Sequence, residues 1–207
     1  MTTRLRCAAL AALAAAGAAC AVIDGHRDVS GTWRLVPAES AIQFVGIKND
    51  SAAVTGSFAS LGGAFDSAKR TGWIEVKLGS ADTANPERDE NIRERFFEVA
   101  KYPVARFDVT GLPPAEAFPA PGGAVRIEIT GTLSLHGAAL ALHLPARVWR
   151  DGQNHLHLRN DTPLVLSAHD LGMDAQLGAL KAVCGHTSLS GVVPLQVELG
   201  FAPVAAD

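Results

Sequence analysis

The densest run of ionisable side chains lies between Arg88 and Lys101, where Arg88, Asp89, Glu90, Arg93, Glu94, Arg95, Glu98 and Lys101 fall within one stretch. It closes on the adjacent aromatics Phe96 and Phe97 and on Lys101-Tyr102-Pro103. Arginine suits an anionic group such as phosphate, because its planar guanidinium bonds bidentately. The same residues also fit a solvated helix face, with pairs three to five apart worth a few tenths of a kcal/mol each. A second group is Cys184-Gly185-His186, with His169 upstream. Structural zinc frameworks show two such pairs, so a buried thiol and a helix-terminal histidine are expected rather than a metal site. Cys184 and His186 straddle a helix end and would not point the same way, and no Gly-x-Ser-x-Gly occurs. No catalytic residue, metal or cofactor is therefore assigned, and the chain is not expected to be an enzyme. His155 and His157 flank Leu156 on the polar face of a strand and are expected to face solvent.

The elements that would position these residues are mostly short strands. The charged stretch alone has a short-helix pattern. Asn85-Pro86 reads as an N-cap followed by an N1 proline, and Ile92, Phe96 and Val99 form one apolar stripe. Pro103 ends it. Before it, residues 32–36, 40–47, 53–59, 63–66 and 73–78 read as strands. After it come 105–109, 126–135, 140–144, 147–149, 155–159, 163–167 and 188–201. The clearest alternations are Ile42 and Phe44 about Gln43, and Ile74, Val76 and Leu78 about Glu75 and Lys77. Lys48 to Ser51 reads as a turn, and His136-Gly137 as a hairpin turn. Residues 170–183 form a second helical candidate, with Gly185 placed as its C′ residue. This is an all-β pattern, a sandwich or an antiparallel barrel. A barrel of about eight strands either packs solid or holds one small ligand.

Composition narrows the partners. The chain has 207 residues, 48% of them hydrophobic, and a formal net charge of −3. That is enough apolar material for a sizeable core. Without a basic block it offers no site for nucleic acid. Residues 1–20 read as a signal peptide, with Arg4 and Arg6 before an apolar run, so the mature chain is expected to be periplasmic or otherwise exported. Gly17-Ala18-Ala19-Cys20 is similar to a lipoprotein box. Cleavage near Ala19 or Ala21 fits as well, so membrane association is expected only if Cys20 is acylated. Residues 21–31 form a spacer. Cys184 remains the one cysteine within the folded region, and no internal disulfide is expected. The oligomeric state is left open, a dimer included.

Three features, in order, resemble the YceI-like family of exported lipid- and polyisoprenoid-binding proteins. They are Trp33 with Ser40-Ala41-Ile42-Gln43-Phe44; Arg88-Asp89 followed by Phe96-Phe97-Glu98-Val99-Ala100-Lys101-Tyr102-Pro103; and Gly131-Thr132-Leu133-Ser134-Leu135-His136-Gly137. The resemblance implies an extended, lipocalin-like antiparallel β-barrel of about eight strands over residues 32–203, with one or two short helices and an elongated apolar tunnel. It also implies a carrier for a long-chain amphiphile, a polyisoprenoid or fatty acyl compound. On this view Ile42, Phe44, Ile74, Val76, Phe107, Ile127, Ile129, Leu133, Leu142 and Val197 line the tunnel, and Arg88, Arg93 and Lys101 meet the head group. Phe96, Phe97 and Tyr102 would anchor the charged insertion to the barrel. Burying an alkyl tail gains about 0.8 kcal/mol per methylene, enough over a dozen to offset part of the cost of association. The alternative is a stress- or redox-associated accessory protein with a filled core, acting through partner contact or Cys184. Alternation is the same for a packed and a hollow barrel.

Overall fold

The structure is a computed structural model that describes residues 29–204. The expected signal segment, Cys7, Cys20 and most of the spacer lie outside those residues. The strands are β1 (Thr32–Leu35), β2 (Ala41–Lys48), β3 (Ala52–Phe58), β4 (Leu61–Asp66), β5 (Thr71–Lys77) and β6 (Ala81–Asp82). They continue as β7 (Val104–Gly111), β8 (Ala124–Leu135), β9 (Ala138–Arg150), β10 (Leu156–Asn160), β11 (Leu164–Ser167) and β12 (Val192–Pro203). Two helices, α1 (Pro86–Asn91) and α2 (Asp174–Val183), complete the framework.

The twelve strands form one antiparallel sheet of eight ribbons. Four ribbons are interrupted. β1 and β2 make one ribbon, split by a 3₁₀ turn at Pro37–Glu39. They run along β4 and β3, with Trp33 opposite Phe65 and Gln43 opposite Ser57. β4 and β3 in turn face β5 and β6. β10 and β11 lie end to end against β12. Each ribbon pairs with the next in sequence, and β12 closes onto β1 with Leu35 opposite Phe201. The result is an up-and-down closed barrel, which leaves no sheet edge along the closed seam. β9 runs unbroken through Pro145, where two separate strands were expected. The Pro145 carbonyl accepts from the Asp161 N–H, so its nitrogen faces the side where β10 has already ended at Asn160 and no ladder donor is missed.

The ends of this barrel differ. At one end Trp33 is 2% exposed and stacks on Phe65, with centroids 5.9 Å apart. Phe65 also stacks on Phe118 and meets Phe201 edge-on. We call this the closed end. At the other, the helical end, lie the hairpin turns after β2 and β8, α1 with the turn that follows it, and α2. His136 and Gly137 turn β8 into β9 with φ values of 53° and 83°, the left-handed pair that matches strand twist.

Local chemistry explains both helices. The Asn85 side chain accepts from the Arg88 N–H at 2.9 Å, and Pro86 occupies the first turn. The segment then widens into a π turn, Ile92–Phe96, in which the Phe97 N–H reaches back five residues to Ile92 O at 2.9 Å. The wider turn puts Phe97 on the face of Ile92. Phe97 is accordingly the buried member of the aromatic pair, at 8% exposure. α2 ends on Gly185, φ 63°, with Gly185 N–H bonded to Ala182 O and His186 N–H to Lys181 O. Only a residue free of a Cβ takes that conformation without strain, and the double bond pattern is a Schellman motif.

Candidate ligand cavity

Along each ribbon alternate side chains point inward, and they do not fill the barrel. The interior holds a cavity of about 310 Å³. That is roughly ten times the volume of one water in the liquid, whereas packed cores carry few voids larger than a water. It lies at the lower end of the range of small-molecule sites. A filled core, the alternative left open by the sequence, is not what this barrel has.

All ten apolar residues expected on the inner face, Ile42, Phe44, Ile74, Val76, Phe107, Ile127, Ile129, Leu133, Leu142 and Val197, line this cavity. Every ribbon contributes. Trp33 lies beneath the cavity rather than in its wall, so the closed end is plugged. At the helical end Ile92, Phe96, Phe97, Leu171, Met173, Leu177 and Leu180 complete the lining. Phe96 and Phe97 therefore serve both as anchors and as wall, while Tyr102 packs outside against His136 with centroids 4.1 Å apart.

The expected cations separate. Arg88 lines the cavity. Its Nε donates to Thr83 Oγ1 at 2.7 Å and its NH2 to Thr83 O at 2.7 Å. Thr83 is itself held by the buried Asp89 carboxylate, which accepts from both its N–H and its hydroxyl. Arg93 is not part of the lining and pairs with Glu90 at 3.1 Å. Lys101 is exposed and lies 4.8 Å over the Tyr102 ring, away from the cavity. Sequence spacing alone could not separate them, because the π turn rotates everything after Asn91.

Other residues take their places. The inward face of β2 runs Ile42, Phe44, Gly46, Lys48, and all four line the cavity. Lys48, read from the sequence as a turn residue, is the last inward position of the same period-2 series. A Cβ built at Gly46 would meet nothing nearer than Val54 O at 4.0 Å, so glycine here leaves room beside Lys48. Cys184, His186 and Ser190, from the segment after α2, share this end of the cavity. That segment is pinned to the β2–β3 turn: Asn49 N–H donates to Ser188 O at 2.9 Å, and Asn49 Oδ1 accepts from Thr187 N–H at 3.0 Å. Burial first, then the positive charges of Lys48 and Arg88, hold the His186 imidazole below its ordinary pKa.

His155 and His157 do not face solvent freely, contrary to expectation. His155 Nδ1 lies 3.0 Å from Glu39, and His157 Nε2 lies 2.9 Å from Asp151 Oδ2. His157 also stacks on Trp149 at 5.2 Å. Glu39 is far off in sequence and is brought in by the 3₁₀ turn between β1 and β2. A further polar tie fastens the helical end: Glu98 Oε2 lies 2.7 Å from His136 Nε2 and accepts from Gln176 Nε2 at 2.9 Å. The Gln176 bond first, then His136, holds the Glu98 carboxyl below its usual range.

Fold and cavity together define a β-barrel of the kind that encloses one small apolar ligand. The YceI-like domain model matches residues 33–201, and the chain belongs to this family. It is 34% identical over 82 residues to a UPF0312 protein of Azotobacter vinelandii, a match covering 39% of each chain. Among solved structures it is similar to a polyisoprenoid binding domain from Saccharophagus degradans implicated in plant cell wall breakdown. There the identity is 25% and the TM-score 0.78, over 83% of this chain and 98% of that one. It also shares its fold with Burkholderia cenocepacia BcnA, at 18% identity and a TM-score of 0.61 over 80% of this chain and 98% of that one.

Proposed function

We propose that this chain is an exported binding and carrier protein for a long-chain amphiphile, a polyisoprenoid or fatty acyl compound. Its apolar tail would occupy the barrel and its head would sit at the helical end. The observation that carries the reading is the 310 Å³ cavity walled by apolar side chains from all eight ribbons. The similarity to the Saccharophagus degradans domain supports a prenyl chain as one candidate tail. Each methylene moved from water into such a wall gains about 0.8 kcal/mol, so affinity should rise with tail length until the cavity is full. The role proposed is binding rather than catalysis.

Delipidated protein titrated with fluorescent acyl and prenyl probes tests this reading. Saturable uptake is expected, and Gly46→Ile should reduce it at least tenfold while leaving the fold intact, because the new side chain enters the cavity from an unstrained strand position. Absence of uptake by the wild-type protein would overturn the reading.

A further inference from the structure

The polar side chains on the cavity wall gather at one end. Lys48, Thr83, Arg88, Cys184, His186 and Ser190 all belong to the helical end. His157 is the exception at the closed end, and its ring is committed to Trp149 and Asp151. No aspartate or glutamate is among the lining residues. The buried carboxylate nearest in sequence, Asp89, is spent on Thr83 and acts through it, as Arg88 Nε donates to the hydroxyl that donates to Asp89. This chain of bonds fixes the Arg88 guanidinium from behind. Thr83 engages two of its N–H groups, and an arginine has five donors. Lys48 carries three more and has no carboxylate partner among the described residues. Lys48 and the Thr83-held Arg88 thus both line the helical end of an apolar cavity whose lining includes no carboxylate. His186 lies at the same end, where burial first and then the charges of Lys48 and Arg88 hold its imidazole below the ordinary pKa.

We infer that Lys48, Arg88 and His186 form a subsite for an anionic head, a phosphate or carboxylate, on the amphiphile carried in the barrel. This rests on the carrier reading and narrows it to acidic ligands. Three elements build the subsite: the inner face of β2, the start of α1, and the segment that leaves α2 through Gly185. Neutral heads such as an alcohol would forgo the charge-assisted bonds, which are about twice as strong as neutral ones. An acid should therefore bind about tenfold or more tightly than its uncharged counterpart, and the gap should shrink as salt rises.

The test uses delipidated mature protein and three probes with one tail: dodecyl phosphate, dodecanoate and dodecanol, each titrated calorimetrically. Both acids are expected to bind at least tenfold more tightly than dodecanol. Lys48→Met keeps the apolar stem, removes the charge and lies outside the insertion, so it should cut that preference several-fold by weakening the acids more than dodecanol, and Lys48→Arg should retain it. Arg88→Met should do the same, with a thermal melt to confirm the fold. Preference for phosphate over carboxylate, or the reverse, tells which acid the fork fits. Equal affinity of wild-type protein for all three probes, or a preference that survives both methionine variants, overturns the anionic subsite and leaves the carrier reading standing. Failure of all three probes to bind overturns both.

Discussion

At the closed end, Trp33 donates its indole N–H to Val29 O at 2.9 Å and is wedged among Phe65, Leu35 and Phe201. At the helical end, Phe97 packs on Phe58 and Phe96 at centroid distances of 6.0 and 5.0 Å, yet still borders empty space. Aromatic residues cap both ends, from the strands at the closed end and from the turn after α1 at the helical end. The closed end is filled by the buried Trp33 ring, stacked on Phe65. The helical end is assembled from three separate excursions of the chain, tied by the Glu98 and Asn49 bonds, and it places Lys48 and Arg88 in the cavity lining.

This contrast can be broken by substitution, beginning where the effect is largest. Trp33→Ala should cost about 4 kcal/mol in denaturant unfolding, as expected for a large side chain that leaves a cavity. It should not alter the preference among head groups. Phe97→Ala should cost less, about 3 kcal/mol, because part of its ring already faces a void, and it should weaken tail binding as well. Arg88→Ala should change stability by less than Phe97→Ala and weaken binding of an acidic amphiphile by more. Equal effects of those two variants on both measurements would erase the division between anchor and head-group contact.

Gly46→Ile separates the ends in another way. It should abolish probe uptake while unfolding at the same or slightly higher denaturant concentration, since a β-branched residue suits a strand better than glycine. The smallest effect concerns the tie between the insertion and α2. Glu98 has its folded pKa depressed, so its contribution to stability is complete above the ordinary carboxylate range and is lost as pH falls through the folded value. Melting temperature should therefore fall from about pH 4 downward. Glu98→Gln should flatten that limb. An unchanged acid limb in the variant would mean that the tie does not hold the helical end.

Much of this contrast was legible in the residues. The inner wall follows from period-2 alternation on each strand, which is why Ile42, Phe44, Ile74 and Val197 fell where expected. The same rule would have placed Lys48 inside had β2 been carried one residue pair further, past Gly46. The head-group cations were legible only in part. Arg88, Arg93 and Lys101 share one stretch, but the π turn after α1 decides which of them faces inward, and a 3.6-residue stripe does not anticipate it. The same turn explains why Phe97 rather than Phe96 is the buried ring. His186 and Ser190 belong to the cavity only because the segment after α2 folds onto the β2–β3 turn. The environments of His155 and His157 depend likewise on Glu39, which local sequence could not bring near.

The central claim is that the barrel is hollow in order to hold an amphiphile. Native mass spectrometry of the purified mature protein, paired with organic extraction of the same sample, addresses it most directly. The account predicts a discrete adduct that is released into the organic phase as a long-chain amphiphile, and that is lost in Gly46→Ile. Protein of bare mass, with no lipid in the extract and no adduct after incubation with acyl or prenyl lipids, would contradict it.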